Sequence, residues 1–194
     1  MENNVLNHEA SLKLIYEMIE SAKSRIGRNY FYYLFWGYLV AFTCIAEFIL
    51  IKVVHYQQHY LIWPILMALG TLVTLWFYFS QKRAEGARTF IGTAMAYLWL
   101  GWMISLGIFI FFANMRQAYE VILPTAMAMY GLAIFVSGGL VNYKPLIWGA
   151  PLAWIAGIIA FLVPYPVQLL IFTGAIALSY IVPGHLLKIK SKTM

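Results

Sequence analysis

Aspartate is missing from this chain altogether, and charge of either kind is scarce. Only 10% of the 194 residues are charged, and all seven acidic side chains are glutamates. A water-soluble domain of this length needs far more polar surface to cover its core, so that class is excluded. Thirteen Lys and Arg set the net charge at +6, yet they stand beside apolar runs rather than on a polar domain. That placement argues against nucleic-acid binding and for membrane topology and contact with anionic lipid. A single cysteine, Cys44, rules out an intrachain disulfide; lying inside the first apolar run, it reads as a small buried residue.

Charge is also absent from the centre of every apolar run. A charged side chain there costs at least about 2.5 kcal/mol and is usually kept for ion or proton traffic, so coupling through a central carboxylate is not expected. Catalytic constellations are missing too. Ser137 precedes Gly138 and Gly139, and His185 closes the last apolar run, but an intramembrane serine hydrolase of the rhomboid type needs Gly-x-Ser, and residue 135 is Phe. Glycine-rich phosphate loops are likewise lacking. No enzyme and no cofactor are expected.

What remains is apolar: 63% hydrophobic residues and a mean hydropathy of +0.77. At about 1.5 Å per residue, some 20 residues cross a hydrocarbon core of roughly 30 Å. Six segments qualify, over residues 30–51, 61–80, 90–113, 121–140, 146–163 and 167–187. The expected fold is all-α: a six-helix bundle of three hairpins across residues 29–187, preceded by a segment over 1–28 and followed by a basic cytoplasmic tail over 188–194. Eleven Lys and Arg then fall on one side (Lys13, Lys23, Arg25, Arg28, Lys82, Arg83, Arg88, Lys144, Lys188, Lys190, Lys192) and two, Lys52 and Arg116, on the other. By the positive-inside rule both termini are cytoplasmic, in a bacterial inner membrane.

Within residues 11–26, Leu12, Ile15, Ile19, Ala22 and Ile26 recur at helical spacing, and Glu9–Lys13 and Lys13–Glu17 are i,i+4 pairs. An amphipathic helix is expected there, lying on the bilayer or docking a cytoplasmic partner through Leu12, Ile15, Ile19 and Ile26. An internal repeat is suggested by Tyr33, Leu34 and Gly37 recurring as Tyr97, Leu98 and Gly101. Pro64, Pro124 and Pro166 fall in first turns, where proline is tolerated, whereas Pro151 could kink the fifth span.

Candidate sites are few. Tyr97, Trp99, Trp102, Tyr130 and Trp154 lie deeper than an interfacial belt requires; they either fill space or line a pocket for an apolar or cationic ligand. Small residues four apart (Gly149, Ala153 and Gly157; Gly92 and Ala96; Gly101 and Ser105) mark faces where helices can approach closely. His55 and His59 are four apart with Glu47 nearby, a weak metal pattern for which no metal is expected. Glu47 itself is expected to reach the headgroups or pair with Lys52; turned into the bundle, it would instead be a proton-sensitive site.

The span spacing, the turn Tyr143-Lys144-Pro145-Leu146-Ile147 and the closing stretch from Tyr180 to Leu187 (Tyr-Ile-Val-Pro-Gly-His-Leu-Leu) resemble an uncharacterised group of six-span bacterial membrane proteins. That resemblance implies no activity. In size, span count and basic cytoplasmic face the chain is also similar to the substrate-binding components of energy-coupling-factor vitamin transporters, although their Ala-x-x-x-Ala motif is broken here by Ile45 after Ala41. The expected function is that of a non-catalytic accessory or interaction protein of the membrane, with a lipid bilayer and a membrane or cytoplasmic protein as partners. The alternative is a small-molecule binder or transporter built on the central aromatic residues.

Overall fold

A computed structural model describes residues 31–82 and 90–193, and these are helices joined by short turns, with no strand among them. The first helix, α1, covers Phe31–Val54 and closes in a π turn over Leu50–Val54. It is followed by α2 (Ile62–Lys82), α3 (Phe90–Met115), α4 (Ile122–Val141), α5 (Lys144–Ala160) and α6 (Tyr165–Ile176). The last of these runs through a second π turn, Ala177–Ile181, into α7 (Val182–Thr193). The 188–194 region expected as a tail is therefore helical to Thr193. The expected helix over residues 11–26, with Leu12, Ile15, Ile19 and Ile26, lies outside the described residues.

Five helical stretches are long and apolar enough to cross a membrane, and α5, with 17 residues, is a shorter apolar helix. Their bounds follow the apolar runs because helix is the only open-ended structure that satisfies its own backbone without water. Pro64, Pro124 and Pro166 sit in the first turns of α2, α4 and α6, as their spacing implies; Pro151 lies inside α5, which continues past it. Large apolar side chains cover the outside, Leu162, Trp148, Tyr97 and Trp76 among the most exposed. Such a surface suits lipid as the surrounding medium and not water.

The rod formed by α6 and α7 is the axis of the bundle. On one side it meets α1, where a Cβ on Gly37 would lie 2.8 Å from Ile181 and one on Gly184 3.0 Å from Leu34. On another it meets α5, where a Cβ on Gly149 would lie 2.7 Å from the Ser179 carbonyl oxygen. An extensive interface joins α4 to α5, with Gly138 against Ile147 and Gly157 against the Pro124 carbonyl. Ala153 is fully buried between them. The small-residue face of α5 is thus a true packing face.

In α3 the same kind of spacing does not act that way. No atom lies within 4 Å of a Cβ built on Gly101, Ser105 is exposed, and so are Gly92 and Ala96. The repeat does not carry over into packing either. Tyr33 is 4% exposed, while Tyr97, its counterpart, is 72% exposed. The most apolar windows of α4 and α6 are 56% and 50% buried, against 6% for α2 and none for α3. The bundle is therefore a packed group of α1, α4, α5 and α6–α7 with α2 and α3 on its flanks.

The π turn in the axial rod has a local cause. Pro183 lacks the N–H that an α-helix would direct at the Ser179 carbonyl, and its ring would collide with that oxygen. Widening the turn before it moves the carbonyl away, and Val182 N–H bonds Ala177 O instead. That displaced Ser179 carbonyl is the atom Gly149 approaches most closely. Gly149→Val should accordingly cost about 1–3 kcal/mol, because backbone cannot step aside. Gly101→Val should stay within about 0.5 kcal/mol. Thermal unfolding of the two variants in the same detergent checks the contrast.

Candidate functional site

Glu47 stands about two turns before the end of α1, and it is fully buried. Burying a carboxylate is tolerable only when the protein supplies the donors that water would have given. Three segments do so. The 3-10 turn His59–Leu61, which leads into α2, brings His59 Nδ1 to 2.8 Å from Oε1. The first turn of α2 aims the Trp63 indole N–H at Oε2, at 2.5 Å. At the first residue of α6, the Tyr165 hydroxyl donates to both oxygens, at 3.0 and 3.1 Å.

Each carboxylate oxygen thereby holds two donor contacts. Among the described residues, the ion-pair partner of Glu47 is His59, whose side chain is 29% exposed while the carboxylate is sealed. His59 also lies against Tyr165, ring centroids 6.2 Å apart. Below, on α1, Cys44 and Thr43 are fully buried. The Thr43 hydroxyl donates to the Leu39 carbonyl one turn back.

These contacts overturn the expectation for Glu47. It neither snorkels to the headgroups nor pairs with Lys52, which is exposed at the end of α1. The side chain leaves α1 on the face that also carries Cys44, and that face is covered by α6. His55 stands apart with a left-handed backbone, φ 53°, at the close of the π turn. Among the described residues no group of three His, Cys, Asp or Glu is placed to hold a metal ion. Of the weak metal pattern only Glu47 and His59 come together, hydrogen-bonded at 2.8 Å.

The central aromatic residues divide. Trp99, Trp102 and Tyr130 converge on Tyr180 of the second π turn. Ring centroids are 5.6 Å apart for Tyr130–Tyr180, 6.2 Å for Trp99–Tyr180 and 5.7 Å for Trp99–Trp102. Tyr33 joins from α1, 5.0 Å from Tyr180. Tyr97 points outward and takes no part. Trp154 fits over Gly131 and gives its N–H to the Ala128 carbonyl at 3.1 Å, tying α5 to α4. Within the convergent group, Trp102 Nε1 is buried without a hydrogen-bond partner, and the buried Tyr130 Oη and Ser179 Oγ have no partner but each other. Ser137 is buried in α4, and His185 is bonded to the Tyr38 hydroxyl at 2.7 Å, so no serine–histidine pair forms.

Sequence reasoning missed Trp63, Tyr165, Tyr33 and Tyr180. A signal for the first two was present: both are aromatic donors directly before a first-turn proline, Trp63-Pro64 and Tyr165-Pro166, level with Glu47 by hairpin parity. Comparison with protein-family models, curated proteins and solved structures finds no match to this chain.

Tyr165→Phe removes one neutral donor from a buried carboxylate and little volume. It should lower stability by about 1.5–3 kcal/mol. Tyr60→Phe, next to His59 in the α1–α2 turn but exposed, should be close to neutral. Thermal or denaturant unfolding in detergent distinguishes the two.

Proposed function

We propose that the chain is a non-catalytic, multi-pass protein of the bacterial inner membrane, six times across it with both termini cytoplasmic, that works by engaging a partner within the bilayer. The observation carrying this reading is the uneven packing of the helices. α2 and α3 are as apolar as the others but leave their faces outside the packed group. On α3 one open face carries Gly101 and Ser105, and no atom of the rest of the bundle fills the space over that glycine. Small residues let a neighbouring backbone come close, which is how helices associate where lipid removes the hydrophobic drive. The partner fitting this face is a transmembrane helix of another protein.

A photo-crosslinking residue at Ser105 in native membranes should form a covalent adduct with a second protein, and one at Leu152 of α5 should not. Adducts with lipid alone at Ser105 would refute the reading. The orientation predicts that a reporter fused after Met194 stays cytoplasmic while one inserted at Gln57 is exported; the reverse result would overturn the topology. Replacing Ile15 and Ile19 by Glu tests whether the amphipathic segment takes part in the association.

A second reading, a small-molecule binder or transporter resembling in size and topology the vitamin-transporter components, is favoured by one observation. The Trp102 indole N–H is buried in the aromatic group around Tyr180 without a hydrogen-bond partner, and the buried hydroxyls of Tyr130 and Ser179 beside it have no partner but each other. Ligand-dependent quenching of the tryptophans, lost in Tyr130→Phe and unaffected in Tyr97→Phe, would support it.

A further inference from the structure

Among the described residues Glu47 is the one acidic side chain that is fully buried, and of its three half-buried partners only the His59 imidazole can take up a proton from water and pass it on. We propose that Glu47 is a proton-binding site, loaded through His59 from the membrane face at which α1 ends, and that loading it frees the α1–α2 turn from α6. The inference stands apart from any partner on α3.

The geometry decides where a proton goes. Oε2 is held by Trp63 and Tyr165 and lies inside; Oε1 is held by Tyr165 and by His59, the only one of the three donors belonging to a turn rather than a helix. A proton taken from water by the imidazole can pass from Nδ1 to Oε1. The new O–H bond occupies the lone pair that the Nδ1–H had used, and the imidazole regains its proton from solvent. Trp63 and Tyr165 remain as donors to Oε2. His59 loses its ion pair and its acceptor together, so its favoured surroundings become water.

The other titratable groups around the carboxylate do not supply an alternative. α1 contributes buried Cys44 and exposed Lys52, the turn contributes His59 with exposed His55, Tyr56 and Tyr60, none of which is bonded to the carboxylate, and α6 contributes Tyr165. On α2 no titratable residue occurs between Ile62 and Phe77. Once Oε1 carries a proton, the charge that His59 faces is gone, while Trp63 and Tyr165 still donate to Oε2. The latch is therefore closed while His59 is charged and Glu47 ionised, and it opens as acid neutralises Glu47.

Infrared difference spectroscopy of the protein in lipid nanodiscs, titrated from neutral to acidic pH, reads the carboxyl directly. A protonated-carboxyl band should grow in wild type and be lost in Glu47→Gln; with only seven acidic side chains in the chain the difference is assignable. His59→Phe, which leaves the carboxylate and its helical donors in place, should move the appearance of that band to higher pH. Spin labels at Gln57 and Leu162, both exposed, should report a distance between the turn and the start of α6 that broadens with the band. If Glu47→Gln does not fold, the His59→Phe shift decides. An unmoved band in His59→Phe, no band attributable to Glu47, or a distance that stays fixed while the band grows would each overturn the proposal.

Discussion

Close contact between backbones holds this bundle together, and it exists only where a side chain has been reduced to a hydrogen atom. Lipid tails are as apolar as leucine, so helices in a bilayer gain little from hiding apolar surface against each other. They gain dispersion energy from atoms packed at contact distance. Gly149 gives the α6–α7 rod that contact with α5, Gly138 and Gly157 give it to α4 with α5, and Gly37 and Gly184 let the Ile181 and Leu34 side chains seat against bare backbone where α1 meets the rod. α3 lacks such pairs over Gly101 and Gly107 and stands at the edge, while α2 has one, Gly70, where a Cβ would meet the Leu39 and Trp36 side chains of α1.

Polar contacts are then added at chosen places. Trp36 donates to Thr74, Tyr143 to the Pro183 carbonyl, and Gln168 to the carbonyls of Glu120 and Val163. Each spans two elements at one end of the bundle, and together they fix the alternation of helix directions. Glu47 differs from them because it brings a charge as well as acceptors. Its partners come from a turn, from α2 and from α6, so one side chain registers three segments against α1.

How much of this could be read in the sequence depends on the range of the interaction. Helix bounds were legible to within a few residues, since an uninterrupted apolar run ended by a turn is a local property. The roles of Pro64, Pro124 and Pro166 were legible for the same reason. Which way a side chain faces was not, because rods apolar on every side carry no stripe to mark their inner face. Tyr33 and Tyr97 share a local motif and still end on opposite sides of the packing. Glu47 and Tyr165 meet across 118 residues, a pairing that no local pattern encodes. The π turn at Ala177–Ile181 did have a local cause in Pro183, which span counting passes over.

That wide turn also sets an angular offset. A π turn accommodates one residue more than the α-helix around it, so everything after it is rotated by about 100° about the axis relative to an uninterrupted helix. The rotation is what aims His185 at Tyr38 and lays Gly184 against Leu34 while Leu169 and Phe172, before the turn, remain in the core. Two compass bearings are thus written into one rod, and a single residue removed between Ala177 and Ile181 would erase the difference between them.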